Sequence, residues 1–245
     1  MYSNGYIFRY AGIMVIVAAA LLSTAAMLLK PFQERNVAID KMGGILASAQ
    51  IPDVTAENSI GLFNEYVTEE IVIDQDGQVV ESYTENNKQN AKAFKLDMKA
   101  ELYKASQGEP FQLPLYVINK DGQTLYVVPF RGVGLWGPIW GNMALNDDLN
   151  TVIGVTFDHK GETPGLGAEI NTVGFTKQFV GKKIFDDQNQ FTSIRVVKGG
   201  VNTMPENQRI HGVDAISGGT ITSNGVNDMI HDVLKDYLPY LQKHR

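Results

Sequence analysis

The chain contains no cysteine. That absence excludes a disulfide framework, a zinc-finger spacing, a Cys-ligated iron–sulfur cluster, a thiol nucleophile and a lipoprotein anchor. Basic residues are also few, with Lys+Arg at 21 against Asp+Glu at 27, for a net charge of −6 over 245 residues. The first 30 residues hold Arg9 and Lys30 and no acid, so the remainder carries −8. Such a body repels phosphate backbones and argues against a nucleic-acid partner. No GxSxG elbow or GxxxxGK[ST] loop is present, and although Gly132, Gly134 and Gly137 fall at GxGxxG spacing, that lone match is too little to count as a dinucleotide-binding fingerprint. The four histidines, His159, His211, His231 and His244, lack HExxH spacing, so they read as solvated or capping residues and no metal site is expected. No proline-rich or serine-rich linker and no regular repeat divides the chain. What remains is 44% hydrophobic with 24 Gly and 9 Pro, enough for one ordinary globular core.

Long apolar runs are present at one place. Tyr10 to Leu29 is twenty residues without a charge, flanked by Arg9 and by Lys30-Pro31. At 1.5 Å per residue a helix of that length spans roughly 30 Å, the hydrocarbon thickness of a bilayer. A cleaved signal peptide has an apolar stretch of about 7 to 15 residues, shorter than this one. The reading is therefore a short tail at 1–9, a transmembrane helix at 10–29 and a folded body at 30–245. Positive charges lie on both sides of the span, with Lys30, Arg35 and Lys41 after it, so a literal charge count would leave the body in the cytoplasm.

Phe32, Val37, Ile39, Met42, Ile45 and Leu46 continue at helical spacing toward Gly43-Gly44, where that stretch is expected to end. Beyond it, β-rich runs alternate with Asp/Asn/Gly turns. They occur around DQDGQ (Ile71 to Tyr83), NKDGQ (Leu115 to Phe130), NDDLN (Met143 to Phe157) and, more weakly, DDQNQ (Lys183 to Val197). Such turns between β-branched and aromatic runs predict antiparallel hairpins. Helices are predicted over Ser59–Tyr66 and Leu96–Ala105, giving an α+β fold with a mainly antiparallel sheet. Val226, Met229, Ile230, Val233, Leu234, Tyr237 and Leu238 then trace one apolar face of a last helix over Ser223–Leu241. Thr222 or Ser223 would cap it, Pro239 would mark where it frays, and Asp228, Asp232 and Asp236 would form its solvated stripe.

Three motifs carry potential chemistry. Asp214 to Thr220 reads DAISGGT directly before the last helix, where glycines bare the Thr220 hydroxyl and free helical N–H groups favour an anion such as phosphate. The same residues also suit a simple hydroxyl-capped turn. Gly161 to Gly167 reads GETPGLG, with Pro164-Gly165 placed for a type II turn. Arg131 to Gly141 reads RGVGLWGPIWG and holds both tryptophans, consistent either with packing or with an apolar ligand.

Together with QFVGKKIFD (Gln178 to Asp186), VVKGG (Val196 to Gly200) and HGVDAISGGTITSNGV (His211 to Val226), these motifs resemble the C subunit of the Na+-translocating NADH:quinone oxidoreductase, and more distantly the G subunit of the Rnf complex. The resemblance implies a periplasmic FMN-binding domain on a single-pass anchor in the bacterial inner membrane, opposite to the side given by the charge count. It implies FMN joined through its phosphate to Thr220 by a flavin transferase. Asp214, Ser217, Gly218 and Thr220 match the flavinylation motif, while Gly219 stands where alanine is usual. It further implies that Leu135 and Leu166 flank the isoalloxazine, with Trp136, Glu162, Thr163, Gly165, Lys198 and Thr222 also at the cofactor. The implied role is an electron carrier without independent catalysis. It would exchange electrons with the iron–sulfur-bearing D and E subunits and the FMN-carrying B subunit while NADH oxidation, quinone reduction and Na+ export are coupled. An Rnf-type subunit or a membrane-anchored binding domain are the alternatives, and a pilin is disfavoured because no Glu starts the apolar span.

Overall fold

The structure is a computed structural model that describes residues 3–245. It forms two compact units, one ending at Lys41 and one running from Met42 to Arg245. Helix α1 (Asn4–Ser48) contains the apolar stretch at 10–29 and meets the length and composition needed to cross a membrane. Contrary to expectation, α1 does not stop at Gly43-Gly44. Gly44 is helical and lies beside Asn142, where a Cβ would come to 3.0 Å of Nδ2, and Thr156 donates a hydrogen bond to its carbonyl at 3.1 Å. The glycine serves close packing of the helix end rather than termination.

The second unit is a six-stranded antiparallel sheet flanked by helices. After α2 (Ser59–Tyr66) come β1 (Val67–Asp74), β2 (Val79–Tyr83), α3 (Lys92–Lys95), α4 (Met98–Gln107), β3 (Gln112–Lys120), β4 (Gln123–Val133), β5 (Pro138–Leu145) and β6 (Val152–His159). The sheet order is β2-β1-β3-β4-β5-β6, with every neighbouring pair antiparallel. The predicted turns close the hairpins through their own side chains. Asp74 accepts from the N–H groups of Asp76 and Gln78, Asn119 from that of Gly122, and Asp148 from those of Asn150 and Thr151.

The fourth predicted hairpin is absent. Phe185 and Phe191 meet only as an isolated bridge, and Arg195–Val197 becomes β7, which pairs in parallel with β8 (Gly212–Asp214) as a separate ribbon. Asn150 takes up the backbone there, accepting from the N–H groups of Ile184 and Phe185. The chain between β6 and β7 folds instead into short turns, including α5 (Val173–Thr176), whose Phe175 stacks edge-on with Phe179 and at a tilt with Phe157.

Helix α6 (Thr220–His244) lies on the sheet face formed by alternate residues such as Ile139, Met143, Val128 and Phe130. Val226, Ile230, Leu234 and Tyr237 are fully buried, as the periodicity required, and each such side chain contributes about 1.5–3 kcal/mol when removed from water. The helix passes through Pro239 to His244 without fraying. The β1–β2 turn approaches this point so closely that a Cβ on Gly77 (φ +69) would overlap Pro239 and Tyr240, and Lys243 bonds Gln78 at 2.8 Å. The opposite sheet face is covered by residues 42–66 and 91–95, where Phe63 packs edge-on against Phe94 and Tyr116.

Candidate functional site

The DAISGGT segment leaves the end of β8 and turns into α6. Ile216 to Gly219 is a β-turn closed by the Gly219 N–H on the Ile216 carbonyl, with Gly218 at φ +76 in its third position. Only glycine adopts that conformation without strain. Ser217 and Gly218 are exposed, Gly219 is buried and Thr220 is half-buried. The helix begins three residues earlier than expected, at Thr220, and no side chain caps it. Neither expected cap acts as one. The Ser223 hydroxyl accepts from the Ile216 N–H at 3.1 Å and so braces the turn, while the Thr222 hydroxyl donates to Glu162 Oε2 at 2.6 Å. The N–H groups of Thr220, Ile221 and Thr222 therefore have no protein acceptor among the described residues. A helix start in that condition attracts an anion.

Two loops stand beside this turn. In GETPGLG the Leu166 N–H bonds the Thr163 carbonyl at 3.1 Å with Gly165 at φ +75, as the predicted type II turn requires, and Glu169 accepts from the Gly165 N–H. Thr163 and Gly165 are exposed. Leu166 lies against the Ile216–Gly219 turn, since Cβ atoms built on Gly218 and Gly219 would touch its Cδ2 and carbonyl carbon at 2.6 and 3.2 Å. The second loop is the tip of the β4–β5 hairpin, where the Gly134 N–H bonds the Gly137 carbonyl and leaves Leu135 and Trp136 at the apex. Leu135, Trp136 and Leu166 are 48%, 65% and 41% exposed, and as apolar side chains on two loops beside one turn they form a candidate ligand-facing group. Trp140, by contrast, sits within β5 opposite Arg131 and Asp158, on the face away from Ile139, and is not part of this group.

Glu162 connects these pieces. It is 5% exposed, and its two carboxylate oxygens accept from the Trp136 N–H at 2.8 Å and the Thr222 hydroxyl at 2.6 Å. Its own N–H donates to His159 Nδ1. Asp214 is likewise occupied within the protein: its carboxylate accepts from the Val201 N–H at 2.6 Å, and its N–H donates to Gln178 Oε1. It thereby holds the VVKGG loop next to the turn that precedes α6. Lys198 is exposed at the end of β7, one residue past Val197, which pairs with Asp214. Burial holds the Lys182 ammonium below its ordinary pKa against the opposing pull of Asp214. The Gln178 and Glu162 links were not readable from spacing. Ile221, 57% exposed in the first helical turn, was detectable, because it falls outside the apolar stripe that starts at Val226.

The group suits FMN. Three exposed apolar side chains could face a flat ring, polar backbone edges at Thr163 to Leu166 could meet its rim, and the uncapped start of α6 could hold a phosphate beside the Thr220 hydroxyl. Three clefts of about 450 to 580 Å³ are lined by other residues. One of about 510 Å³ runs between α4, the end of β4 and α6, and there Asp236 is half-buried rather than part of a wholly solvated stripe.

An FMN-binding domain family model matches residues 134–235, which takes in GETPGLG, DAISGGT and the Gly134 to Gly141 part of the tryptophan-bearing motif. Among curated proteins, the C subunit of the Na(+)-translocating NADH-quinone reductase of Vibrio vulnificus is 35% identical over 100% of this chain and 98% of its own. That of Pseudomonas aeruginosa is 31% identical over 89% of this chain and 87% of its own. The crystal structure of the corresponding C subunit from Parabacteroides distasonis superposes with a TM-score of 0.74 at 38% identity, covering 87% of this chain and 96% of that one. Shewanella oneidensis NqrC gives 0.64 at 27% identity, covering 84% and 98%. With a relative of that similarity matched over nearly its full length, the chain belongs to the family of Na(+)-translocating NADH-quinone reductase C subunits.

Proposed function

We propose that this chain carries FMN as a phosphoester on the Thr220 hydroxyl and works as an electron-carrying subunit of a membrane-bound NADH:quinone reductase that moves Na+. The observation that carries the reading is the Thr220 hydroxyl at an uncapped helix start, with Leu135, Trp136 and Leu166 standing unburied on the two adjacent loops. Ser217 and Gly218 form the tip that a flavin transferase must reach, and Gly219 narrows the turn beneath it. Leu135 and Leu166 would contact the ring, with Trp136 at its margin, Thr163 and Gly165 at its polar rim, and Lys198 near its anionic parts. Bound FMN supplies the redox chemistry, accepting electrons and passing them on.

The same reading places the apolar stretch of α1 in the inner membrane and the body from residue 30 onward on the periplasmic side. The donors and acceptors would be neighbouring subunits, the iron–sulfur-bearing D and E subunits and the FMN-carrying B subunit. Support for a membrane setting comes from the fully exposed apolar segment of α1.

The test is denaturing electrophoresis of the chain co-expressed with its flavin transferase. A fluorescent band whose Thr220 peptide is heavier by FMN less one water is expected. Thr220→Ala should give a dark band from a chain that still folds, and covalent flavin retained in that variant would refute the site. For topology, a protease-cleavable tag after His244 should be lost in intact spheroplasts, and full protection would overturn the periplasmic placement.

A further inference from the structure

The two loops expected to flank the flavin and the turn expected to carry it come from three separate parts of the chain. The hairpin tip at 134–137 packs through Gly134 against Gly225 in the second turn of α6, but its hydrogen-bonded link to the first turn runs through Glu162, between the Trp136 N–H and the Thr222 hydroxyl. The surroundings are cut to fit this carboxylate. A Cβ on Gly134 would come within 2.5 Å of Glu162 Oε1, and one on Gly167 would overlap both Glu162 Oε2 and Thr222 Oγ1. Gly134 at the hairpin tip and the last glycine of GETPGLG thus leave room for Glu162. Both carboxylate oxygens already receive a donor from the protein, and the side chain is 5% exposed.

We propose that Glu162 is a positioning residue, which sets the Leu135-Trp136 tip and the Leu166 turn against the Thr220 attachment point by bridging Trp136 and Thr222, rather than a group that touches the flavin. The proposal rests on the FMN reading above. What matters in it is the two-ended reach of the side chain, not its negative charge. Glutamine keeps that reach: its carbonyl oxygen accepts from the Trp136 N–H while its amide donates to the Thr222 oxygen, whose hydroxyl rotates. Aspartate keeps the charge but is one methylene short of spanning both partners. Two isolated substitutions therefore separate geometry from charge.

The experiment uses the full-length chain, co-expressed with its flavin transferase and purified in detergent. Loading is read by intact mass and ring burial by flavin fluorescence with iodide quenching. If the native chain carries no FMN, the proposed function fails, independently of Glu162. With FMN on the native chain, Glu162→Gln should match its fluorescence and quenching. Glu162→Asp should loosen the seat, with both emission and iodide quenching moving toward those of free FMN. Thr222→Val preserves volume and cuts one end of the bridge, so it should move both readouts in the direction of Glu162→Asp. If Glu162→Asp melts without a cooperative transition, Thr222→Val carries the test. A Gln variant as disturbed as the Asp variant would assign the effect to charge. That result overturns the proposal, as would an Asp or Val variant indistinguishable from the native chain.

Discussion

Alanine at Gly225 and alanine at Gly61 should change stability in opposite directions, although both replace a glycine inside a helix. Intrinsic propensity favours alanine by about 1 kcal/mol at either position. At Gly61 in α2 nothing lies within 4 Å of the new methyl, so the gain stands and the Tm should rise by roughly 2–4 °C for a unit of this size. Gly225 is in the second turn of α6, where the methyl would overlap the Val133 carbonyl oxygen and come to 3.4 Å of Gly134 Cα. These are backbone atoms of the β4–β5 hairpin, which cannot rotate aside. Overpacking typically destabilises by about 1–3 kcal/mol, and a clash with backbone belongs at the upper end. The clash outweighs propensity by about 1–2 kcal/mol, and the Tm should fall by roughly 2–8 °C. The assay is thermal unfolding of the full-length chain in detergent, followed by far-UV circular dichroism, with Trp136 emission, read in a Trp140→Phe background, reporting any shift of the hairpin tip. A Gly225→Ala chain at least as stable as the native one, with unchanged emission, would refute the account of how α6 seats on this hairpin.

Burial pushes the hydroxyls of Tyr116 and Tyr237 well above their ordinary pKa and that of Tyr240 up to about 12, Tyr126 and Glu69 adding to the last. The folded state then keeps protons that the unfolded chain releases near pH 10, so this stability is present below about pH 10 and is lost as pH rises through about 12. Cooperative unfolding with tyrosinate absorbance is expected in that window, and Tyr240→Phe should move the midpoint upward; an unmoved midpoint contradicts it. Asp236 is raised by burial, then by Asp232, with Lys235 opposing. Its stabilising contribution is present below the ordinary pKa of about 3.9 and is lost as pH rises through the folded value. Asp236→Asn should therefore melt higher than the native chain at neutral pH and lose that advantage toward pH 4, and a pH-independent difference would exclude the carboxyl. Gly219→Ala introduces a methyl 3.0 Å from Ile216 Cγ2 and 3.2 Å from the Leu166 carbonyl carbon. Full FMN loading with a loss of at most about 1 kcal/mol is expected, because Ile216 can yield by a few tenths of an ångström, whereas failure to load would show the turn to be tighter than described.

The strands were legible wherever one residue type did one job. Asp74, Asn119 and Asp148 turn the chain by bonding nearby N–H groups, and that chemistry is local enough to be seen in sequence. DDQNQ carries the same local signal, and Asp186 does accept from the Gln188 and Gln190 N–H groups, but the flanking segments pair elsewhere. Asn150, 34 residues upstream of Ile184, takes the backbone donors that a strand partner would have taken. The boundaries of α6 failed for a similar reason. Thr222 and Ser223 have the right chemistry for caps, yet their hydroxyls serve Glu162 and Ile216, contacts set by tertiary packing. Gly43-Gly44 and Pro239 read as breaks, because sequence does not reveal which element will press against a helix at those points.

The shape of the site bears on why a covalent link would be needed. A tightly held cofactor commonly occupies a cleft that removes most of its surface from water. Here the side chains expected to meet the ring stand on two turns at the rim of the sheet, and Leu135, Leu166 and Trp136 remain 41–65% exposed. The described clefts of about 450 to 580 Å³ are lined by other residues. A ring seated on so open a surface would bury little area, and reversible affinity would be correspondingly weak. A phosphoester at Thr220, as proposed above, would remove that dependence, because a tethered group stays at high effective concentration over its seat however shallow the seat is. Shallow seating also leaves the ring's edge approachable by a second protein, which a carrier requires and a substrate-binding enzyme does not. On this argument the apolar side chains set ring orientation and the ester sets occupancy. Leu135→Ala and Leu166→Ala should then alter flavin fluorescence while leaving the mass of the modified chain, apart from the substitution itself, unchanged.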